Sequence, residues 1–527
     1  VSLDGAIGIS TSGLRAISAQ LRTVSNNVSN AEVPGYTRKV VPTRSVTADG
    51  IGIGVGIEQV RRVTDAALQR AVWAREATFA SADMRANILA PIESLHGRPE
   101  DGSSLAGLLG RVQESFVSLA ADPTSASLHV EVVQNAETLA ARINEMAGAV
   151  TAARNRSQDL LAAGVGEVNR LLSEAGVLSR EIMRLRNEVA GTAELEDKRD
   201  AIIGQLSTMI DIRVALKEDG EMLAFTRGGL SIPLRGDAFS TTGAELGPGS
   251  FYDPAGGSTP GVTLIDPSRP EQPFDVTRGQ LGGELGALLS LRDETLPRFT
   301  AELDEFAQKL ARRFDQQGLR LFTDAAGNVP QEGGAVPQSR YVGFSTEIRV
   351  FQRVQDNPRL VRDGTHAIPA GIPDFPATRE VQPPYGDPFT PNPAGGPEAF
   401  TGLVQRIIDY TFGANIGLGR PHDPAFLANG LGPNGAISSP IPATGTLSSY
   451  ATSLVSTQTA EHNAARATAD SERSTRDLLA NRYADIVGVN LDTEMALLVQ
   501  LQNAYQANAR VLTTVQAVWD ALLNSVR

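Results

Sequence analysis

The sequence predicts a multidomain α+β protein. Discontinuous α-helical coiled-coil or bundle domains are formed by the N- and C-terminal segments, and β-rich domains are inserted between them. Three observations carry this expectation. Apolar residues recur at steps of three and four towards both ends of the chain, the period of a helix that buries one stripe. Two interior stretches lose that period and fill with Pro and Gly turns. The chain is 527 residues long, enough for roughly three or four domains at about 150 residues each.

At the N-terminus, Ile7, Leu14, Ile17, Leu21, Val24 and Val28 form a heptad-like seam on a helix otherwise rich in Ser, Thr, Asn and Gln. The seam stops at Asn30, and Pro34-Gly35 turns the chain, because Pro fixes φ and Gly tolerates positive φ. The run Gly50 to Gly56 alternates Gly with Ile and Val and leads into no clear helix start, so it predicts a β-turn or hairpin rather than a phosphate loop. Helical patterning resumes near Asp65 and dominates to about Ile210. Its longest piece runs from Ala136 to Val189, with one 4-4 step centred on Gly164 after Leu160, and predicts a rod of roughly 80 Å at 1.5 Å per residue. Such a rod must pack lengthwise against other helices, for which Leu195–Ile210 and the seam Leu296, Phe299, Leu303, Phe306, Leu310, Phe314 are candidates.

Residues 212–284 predict a small β domain, with strand-like runs at 212–216, 222–225 and 261–265 separated by Gly-containing turns. A Pro/Gly-rich β-containing insertion covers 322–444, with Phe344–Val350 as its best strand, Ala399–Phe412 as its helix, and Pro383-Pro384-Tyr385-Gly386 and Pro391-Asn392-Pro393 as rigid loops. From about Gly445 helix returns, broken near Val487-Gly488-Val489-Asn490. Beyond the break Leu491, Leu498, Leu501, Tyr505, Asn508, Leu512, Val515, Trp519, Leu522 and Val526 keep a seam with a gap at Glu494 and one polar occupant, Asn508. The expected division is therefore 1–60 with 480–527 as a terminal coiled coil; 61–211 with 285–321 and 445–479 as a helical domain; then the β domain and the insertion.

Composition excludes several functions. Lys and Arg number 47 against 60 Asp and Glu, a net charge of −13 with no basic block, so nucleic acid is not an expected partner. No run of about 18 apolar residues suggests membrane insertion. With no cysteine and five histidines far apart in sequence, neither thiolate chemistry nor a His-based metal or triad site is expected, and no cofactor is implied. The first residues lack the basic and apolar regions of a Sec-type signal peptide.

Each seam residue contributes about 1.5–3 kcal/mol when fully buried, against roughly 1–2 kcal/mol for ordering each backbone residue. A lone pair of narrow amphipathic helices is therefore marginal in water. The terminal stripes need partners, found either within one chain or in neighbouring subunits, and periodicity alone leaves both arrangements open.

The residues also resemble a known family. Ser12-Gly13-Leu14, Ser25-Asn26-Asn27-Val28-Ser29-Asn30 and Pro34-Gly35-Tyr36-Thr37-Arg38 are similar to the N-terminal signature of bacterial flagellar axial proteins of the rod, hook and hook–filament junction. Gly488 to Met495 and Gln502 to Leu512 resemble the matching C-terminal end. Asp122-Pro123 with Ala136 to Ala140, Leu195-Glu196-Asp197-Lys198-Arg199-Asp200, and Gly282-Gly283 ahead of Leu289 to Asp293 extend the likeness, nearest to the junction members, over about 1–320 and 445–527. The insertion carries no motif of the family.

The resemblance implies a non-enzymatic structural adaptor joining hook to filament and polymerising through its terminal helices. Its expected partners are further copies of itself, the hook protein, a second junction protein on the filament side, and an export chaperone on the C-terminal helix. Its expected location is the extracellular flagellum, reached by type III export without a cleaved Sec signal. Leu14, Ile17, Leu21, Val24, Val28, Leu498, Leu501, Tyr505, Asn508, Leu512, Val515, Trp519 and Leu522 would then serve assembly or interaction, and Asn26, Asn27, Pro34, Gly35, Tyr36, Thr37 and Arg38 would shape the motif turn. The alternatives are a hook or distal-rod subunit, or a glycosidase housed in the insertion, for which Asp363, Asp374, Glu380 and Asp387 would have to supply two carboxylates.

Overall fold

In the computed structural model, which describes residues 3–48, 51–97, 102–188, 191–266, 270–368 and 388–525, the first apolar stripe lies on α1 (Leu3–Ser29). The chain then turns through Pro34-Gly35, with Gly35 at φ 79°, a left-handed conformation that favours glycine. Four strands follow: β1 (Lys39–Val40), β2 (Thr43–Ala48), β3 (Ile51–Ile57) and β4 (Arg61–Arg62), paired antiparallel as β1 with β4 and β2 with β3. The Gly/Ile/Val run is thus a hairpin strand. Its glycines let the backbone approach α1, since a side chain at Gly54 would strike the Ser12 hydroxyl, which accepts the Val55 N–H at 3.1 Å.

The helical body starts with α2 (Ala66–Leu95), whose N-cap Asp65 accepts the Ala67 and Leu68 N–H groups, both at 3.0 Å. Next come α3 (Leu105–Ala121), capped by Ser104, and α4 (Ala126–Asn187), capped by Ser125. With 62 residues, α4 spans about 93 Å and begins ten residues before the expected start at Ala136. Its buried face follows the expected seam to Ala175 except at the irregular step, where Leu161 is fully buried while Leu160 is 36% exposed; beyond it Ser179 is buried, the expected Leu178 and Leu185 are half-buried, and Val189 lies outside the described residues. The 4-4 step therefore runs Ala153, Ser157, Leu161, earlier than expected from Gly164. Two overlapping apolar positions, 160 and 161, made both readings compatible with the period.

After α5 (Ala193–Met209) the strands β5 (Arg213–Leu216), β6 (Met222–Phe225), β7 (Ser231–Ile232), β8 (Phe239–Ser240), β9 (Thr263–Leu264) and β10 (Phe274–Asp275) build two antiparallel three-stranded sheets, ordered β5-β6-β7 and β10-β9-β8. These sheets lie against α4. Its Asn169 amide donates to the Phe239 carbonyl at 2.8 Å and accepts the Phe239 N–H at 2.9 Å, and Arg154 reaches the carbonyls of Arg292, Gly247 and Ser250. At Gly176 on α4 a methyl group would collide with the Leu234 carbonyl oxygen. Gly176→Ala should therefore lower stability by about 1–3 kcal/mol through overpacking, despite the roughly 1 kcal/mol better helix propensity of Ala; denaturant titration of both chains measures the sign.

The chain returns through α6 (Gly283–Ser290), a π-helical turn at Leu291–Thr295, and α7 (Leu296–Asp315), with Pro297 in its first turn. All six expected seam residues of α7 are buried, and so is its polar face, Glu302, Asp304, Glu305, Gln308, Lys309, Arg312 and Arg313 included. The cover comes from the insertion, whose elements are β11 (Phe322–Thr323), α8 (Phe344–Glu347), β12 (Arg349–Val350), α9 (Gln352–Asp356), α10 (Leu360–Asp363), α11 (Gly402–Arg406), β13 (Asn415–Gly417) and β14 (Arg420–Pro421). Its Phe322, Tyr341, Phe344, Ile348, Leu403 and Phe426 join the same continuous core as α3, α4 and α7.

The expected strand at Phe344–Val350 is corrected here: residues 344–347 form a helical turn and only Arg349–Val350 pair, with β11. The cause is tertiary. The buried Asp304 carboxylate accepts the N–H groups of Gly343 at 2.7 Å and Ser345 at 2.9 Å and the Ser345 hydroxyl at 2.6 Å, which caps a helix start and overrides strand propensity. Burial pushes the Asp304 pKa up to about 6, partly offset by those same hydrogen bonds. The expected helix at Ala399–Phe412 is α11 followed by a π-helical turn at Ile407–Thr411. The loop Pro383 to Gly386 lies outside the described residues.

The chain finishes with α12 (Leu447–Val487), started by a Thr446/Ser449 capping box, and α13 (Leu491–Ser525). Helix α12 runs along α2, joined by Arg75 to Glu472 at 3.2 Å, Arg476 to Glu76 at 3.6 Å, and Arg476 over the Phe79 ring at 4.4 Å.

Candidate assembly surface

The helices α1 and α13 pair antiparallel. Ile17, Val24 and Leu501 form their own small core, flanked by Leu21, Leu497, Leu498 and Ala504 and separate from the main one. Further along, Gly13 faces Asn508, where a Cβ would sit 3.5 Å from the Asn508 side-chain oxygen. Asn508 is half-buried and its amide donates to the Ala504 carbonyl of its own helix at 3.0 Å, so it does not bridge the two helices through that bond. Leu14, Val28, Leu512 and Val515 are half-buried, and nothing is described of the Leu522 side chain.

The pairing with α1 covers one side of α13 only. Tyr505 and Trp519 are 42% and 41% exposed. Leu491, Met495, Val499, Val511 and Val518 are exposed as well. An apolar helix face of this length left in water marks an interaction surface.

The motif turn ties this pair to the helical body through buried polar bonds. Asn27 uses its whole amide: Nδ2 donates to the Lys39 carbonyl at 2.9 Å and to Glu494 at 3.0 Å, while Oδ1 accepts the Lys39 N–H and the Tyr36 hydroxyl, both at 3.0 Å. No other side chain of this size offers two donors and one doubly accepting oxygen. Arg38 Nε donates to Glu494 at 2.6 Å, and its backbone N–H donates to the Val487 carbonyl at 2.7 Å. Thr37 gives both its N–H and its hydroxyl to Asp197, at 3.2 and 2.7 Å. Lys39 Nζ also meets Asp197, at 2.5 Å, and lies 3.3 Å above the centre of the Tyr36 ring. Of the remaining turn residues, Pro34 and Gly35 are exposed, and Asn26, also exposed, accepts from Asn30 at 2.8 Å.

Helix α5 supplies the acidic side. Glu196 and Asp197 are adjacent and Asp200 lies one turn further on, and all three contact Arg62 of β4, at 2.9, 3.3 and 2.5 Å. Burial alone would raise the Glu196 carboxyl, but Arg186, Thr192 and Arg62 outweigh it and hold it below the usual range. Burial raises the Tyr36 hydroxyl, reinforced by Glu194, Asp197 and Glu494, so it stays protonated and donating. Sequence reasoning singled out Asn27, Tyr36, Thr37 and Arg38 but missed Lys39, Arg62, Asp197, Asp200 and Glu494 as site residues. The available signal was Glu494 itself: a carboxylate in an apolar seam requires a buried partner.

Among the described residues, no group of three or more His, Asp or Glu side chains could hold a metal ion, and no helix is long and apolar enough to cross a membrane. Asp363 is engaged by Arg362 at 2.8 Å and Asn392 at 2.9 Å, while Asp374, Glu380 and Asp387 lie outside the described residues.

Comparison with known proteins bears on both ends and the middle of the chain. Residues 7–37 match the flagella basal body rod protein family, and residues 482–525 match the flagellar basal body rod FlgEFG protein C-terminal family. Terminal helices that match these two families and close on each other define an axial structural protein of the bacterial flagellum. Residues 89–329 match the flagellar hook-associated protein FlgK helical domain. The flagellar hook-associated protein 1 of Bacillus subtilis is 25% identical over 547 residues, covering 97% of each chain. That of Escherichia coli is 24% identical over 583 residues, covering 99% of this chain and 100% of its own, and that of Salmonella typhimurium is 24% identical with the same coverage. The chain is thus similar along nearly its whole length to flagellar hook-associated protein 1, and the family match over residues 89–329 agrees with that likeness. The solved flagellar hook junction protein FlgK from Burkholderia pseudomallei aligns with a TM-score of 0.41 at 22% identity, over 50% of this chain and 45% of that one, a likeness that adds nothing to the assignment.

Proposed function

We infer that this chain is the adaptor between hook and filament, built into the flagellum side by side with further copies through its terminal helices. The observation that carries this is α13, which is apolar on more sides than α1 covers. Residues 1–60 with 480–527 act as the assembling unit. Residues 61–211, 285–321 and 445–479 form the helical body behind it, and 212–284 and 322–444 form its outward additions. Tyr505, Leu512, Val515, Trp519 and Leu522 meet neighbouring subunits, and Leu14, Ile17, Leu21, Val24, Val28, Leu498 and Leu501 close the pair within one chain. The hook protein lies on one side and a second junction protein on the other. Before assembly, an export chaperone shields α13 from water, and the unfolded chain leaves by the flagellar export route.

A strain lacking this protein should carry hooks without filaments and shed filament protein into the medium, seen by electron microscopy and by blotting of the supernatant. A missing hook would instead place the chain in the hook or distal rod.

A further inference from the structure

A second charged cluster, unconnected with the motif turn, lies on the polar face of α7. Lys309, Arg312 and Arg313 are all buried there. Two buried carboxylates face them. Glu332 takes Lys309 Nζ and an Arg312 nitrogen on the same oxygen, both at 2.5 Å. Glu305 stands 3.7 Å from Lys309, with its oxygens already engaged by the Tyr341 hydroxyl at 2.6 Å and the Leu427 N–H at 2.7 Å. Among the described residues, the Arg313 guanidinium reaches only the carbonyls of Gly413, Ala425 and Gly445, at 3.4–3.5 Å, and the Phe426 ring. The buried Arg312 Nε–H has no hydrogen-bond partner among the described residues.

Lys309, Arg312 and Arg313 line a small cavity of about 20 Å³ together with Gln316, His422 and the solvent-exposed Asp423, while Glu305 and Glu332 stand outside its lining. His422 bonds the Tyr410 carbonyl at 2.9 Å. Burial, then the neighbouring Arg313, Lys309 and Arg312 cations, pushes its pKa down to about 4, so near neutral pH it adds no charge. Three buried cations thus face two buried carboxylates, the only acid in the lining is the solvent-exposed Asp423, and the rest of the polar lining is dominated by donors.

We propose that this cavity binds one chloride-sized monovalent anion between Arg312 and Arg313, a structural ion that fastens residues 413–426 to α7. Size and charge together select it. The space exceeds the ~10–15 Å³ that one water requires and so admits a small ion. A water would satisfy the Arg312 donor yet leave the excess buried charge uncompensated, which is the costlier of the two.

The test uses the full-length protein in sodium chloride and in sodium gluconate at equal ionic strength. The unfolding temperature should rise by roughly 1–2 °C for each tenfold increase in chloride once the site is half filled. Bromide should replace chloride, and Arg312→Gln should abolish the dependence. Crystals grown in sodium bromide should show an anomalous peak beside Arg312, a readout that does not depend on the variant folding. Superimposable curves in chloride and gluconate, an equal chloride response in Arg312→Gln, or no bromide peak at Arg312 would each overturn the proposal.

Discussion

Asp197→Asn should release the motif turn from α5 while leaving the main core folded. The substitution keeps the shape of the side chain but removes the charge that faces Lys39, whose side chain is only 2% exposed. Lys39 has one other acid, Glu194, at 3.4 Å, and that carboxylate is largely in solvent. Removing one partner of a buried pair costs about 3–5 kcal/mol, because the remaining charge stays desolvated. Arg62 suffers less, since Glu196 and Asp200 still hold it. The loss is local, so it is read by amide hydrogen exchange over residues 36–40, which should speed up at least a hundredfold, taking 1.4 kcal/mol per decade. Amides inside α4 should exchange as before. Adding Lys39→Met should restore much of the protection, because an apolar side chain does not need the missing carboxylate. Unchanged exchange at residues 36–40 in Asp197→Asn would mean that the pair holds nothing in place.

The same region shows how far the sequence could be read. The long helices announce themselves because many apolar residues repeat one period: α1, α5, α7, α12 and α13 lie where periodicity puts them, and α4 does so apart from its earlier start at Ala126. The network around Asp197 was not legible, since its members come from residues 27–39, 62, 196–200 and 494, and no local pattern links them. Glu494 read as a gap in a hydrophobic stripe, yet it is fully buried and joins α13 to both Asn27 and Arg38. The insertion failed differently. Its core residues, such as Phe322, Tyr341 and Phe426, stand singly among turns, so neither helix nor strand period marks them, and the complementary polar face of α7 looks from sequence like a solvated surface. Tertiary contacts decided both places, which is why a capped helical turn replaced the strand expected at Phe344.

Two positions on α13, four residues apart, make the sharpest contrast in expected effect. Tyr505→Asp should leave the isolated protein's stability within about 0.5 kcal/mol of wild type, because the side chain is 42% exposed and a surface aspartate there costs little. In the proposed assembly the same position is closed off from water by neighbouring copies, where an unpaired carboxylate would cost several kcal/mol. Cells carrying it should therefore build hooks, release filament protein and fail to swim. Leu501→Asp should behave oppositely in the isolated protein. Leu501 packs on Ile17 and Val24 within one chain and is 8% exposed, so a charge there should unpair α1 from α13 at a cost of about 3–5 kcal/mol, seen as rapid exchange along both helices. The pair of variants separates contacts made within the chain from those made between chains. Normal filaments on Tyr505→Asp cells would place that face of α13 outside any subunit contact, and a Leu501→Asp chain with native exchange in α1 would show that the helices do not depend on each other.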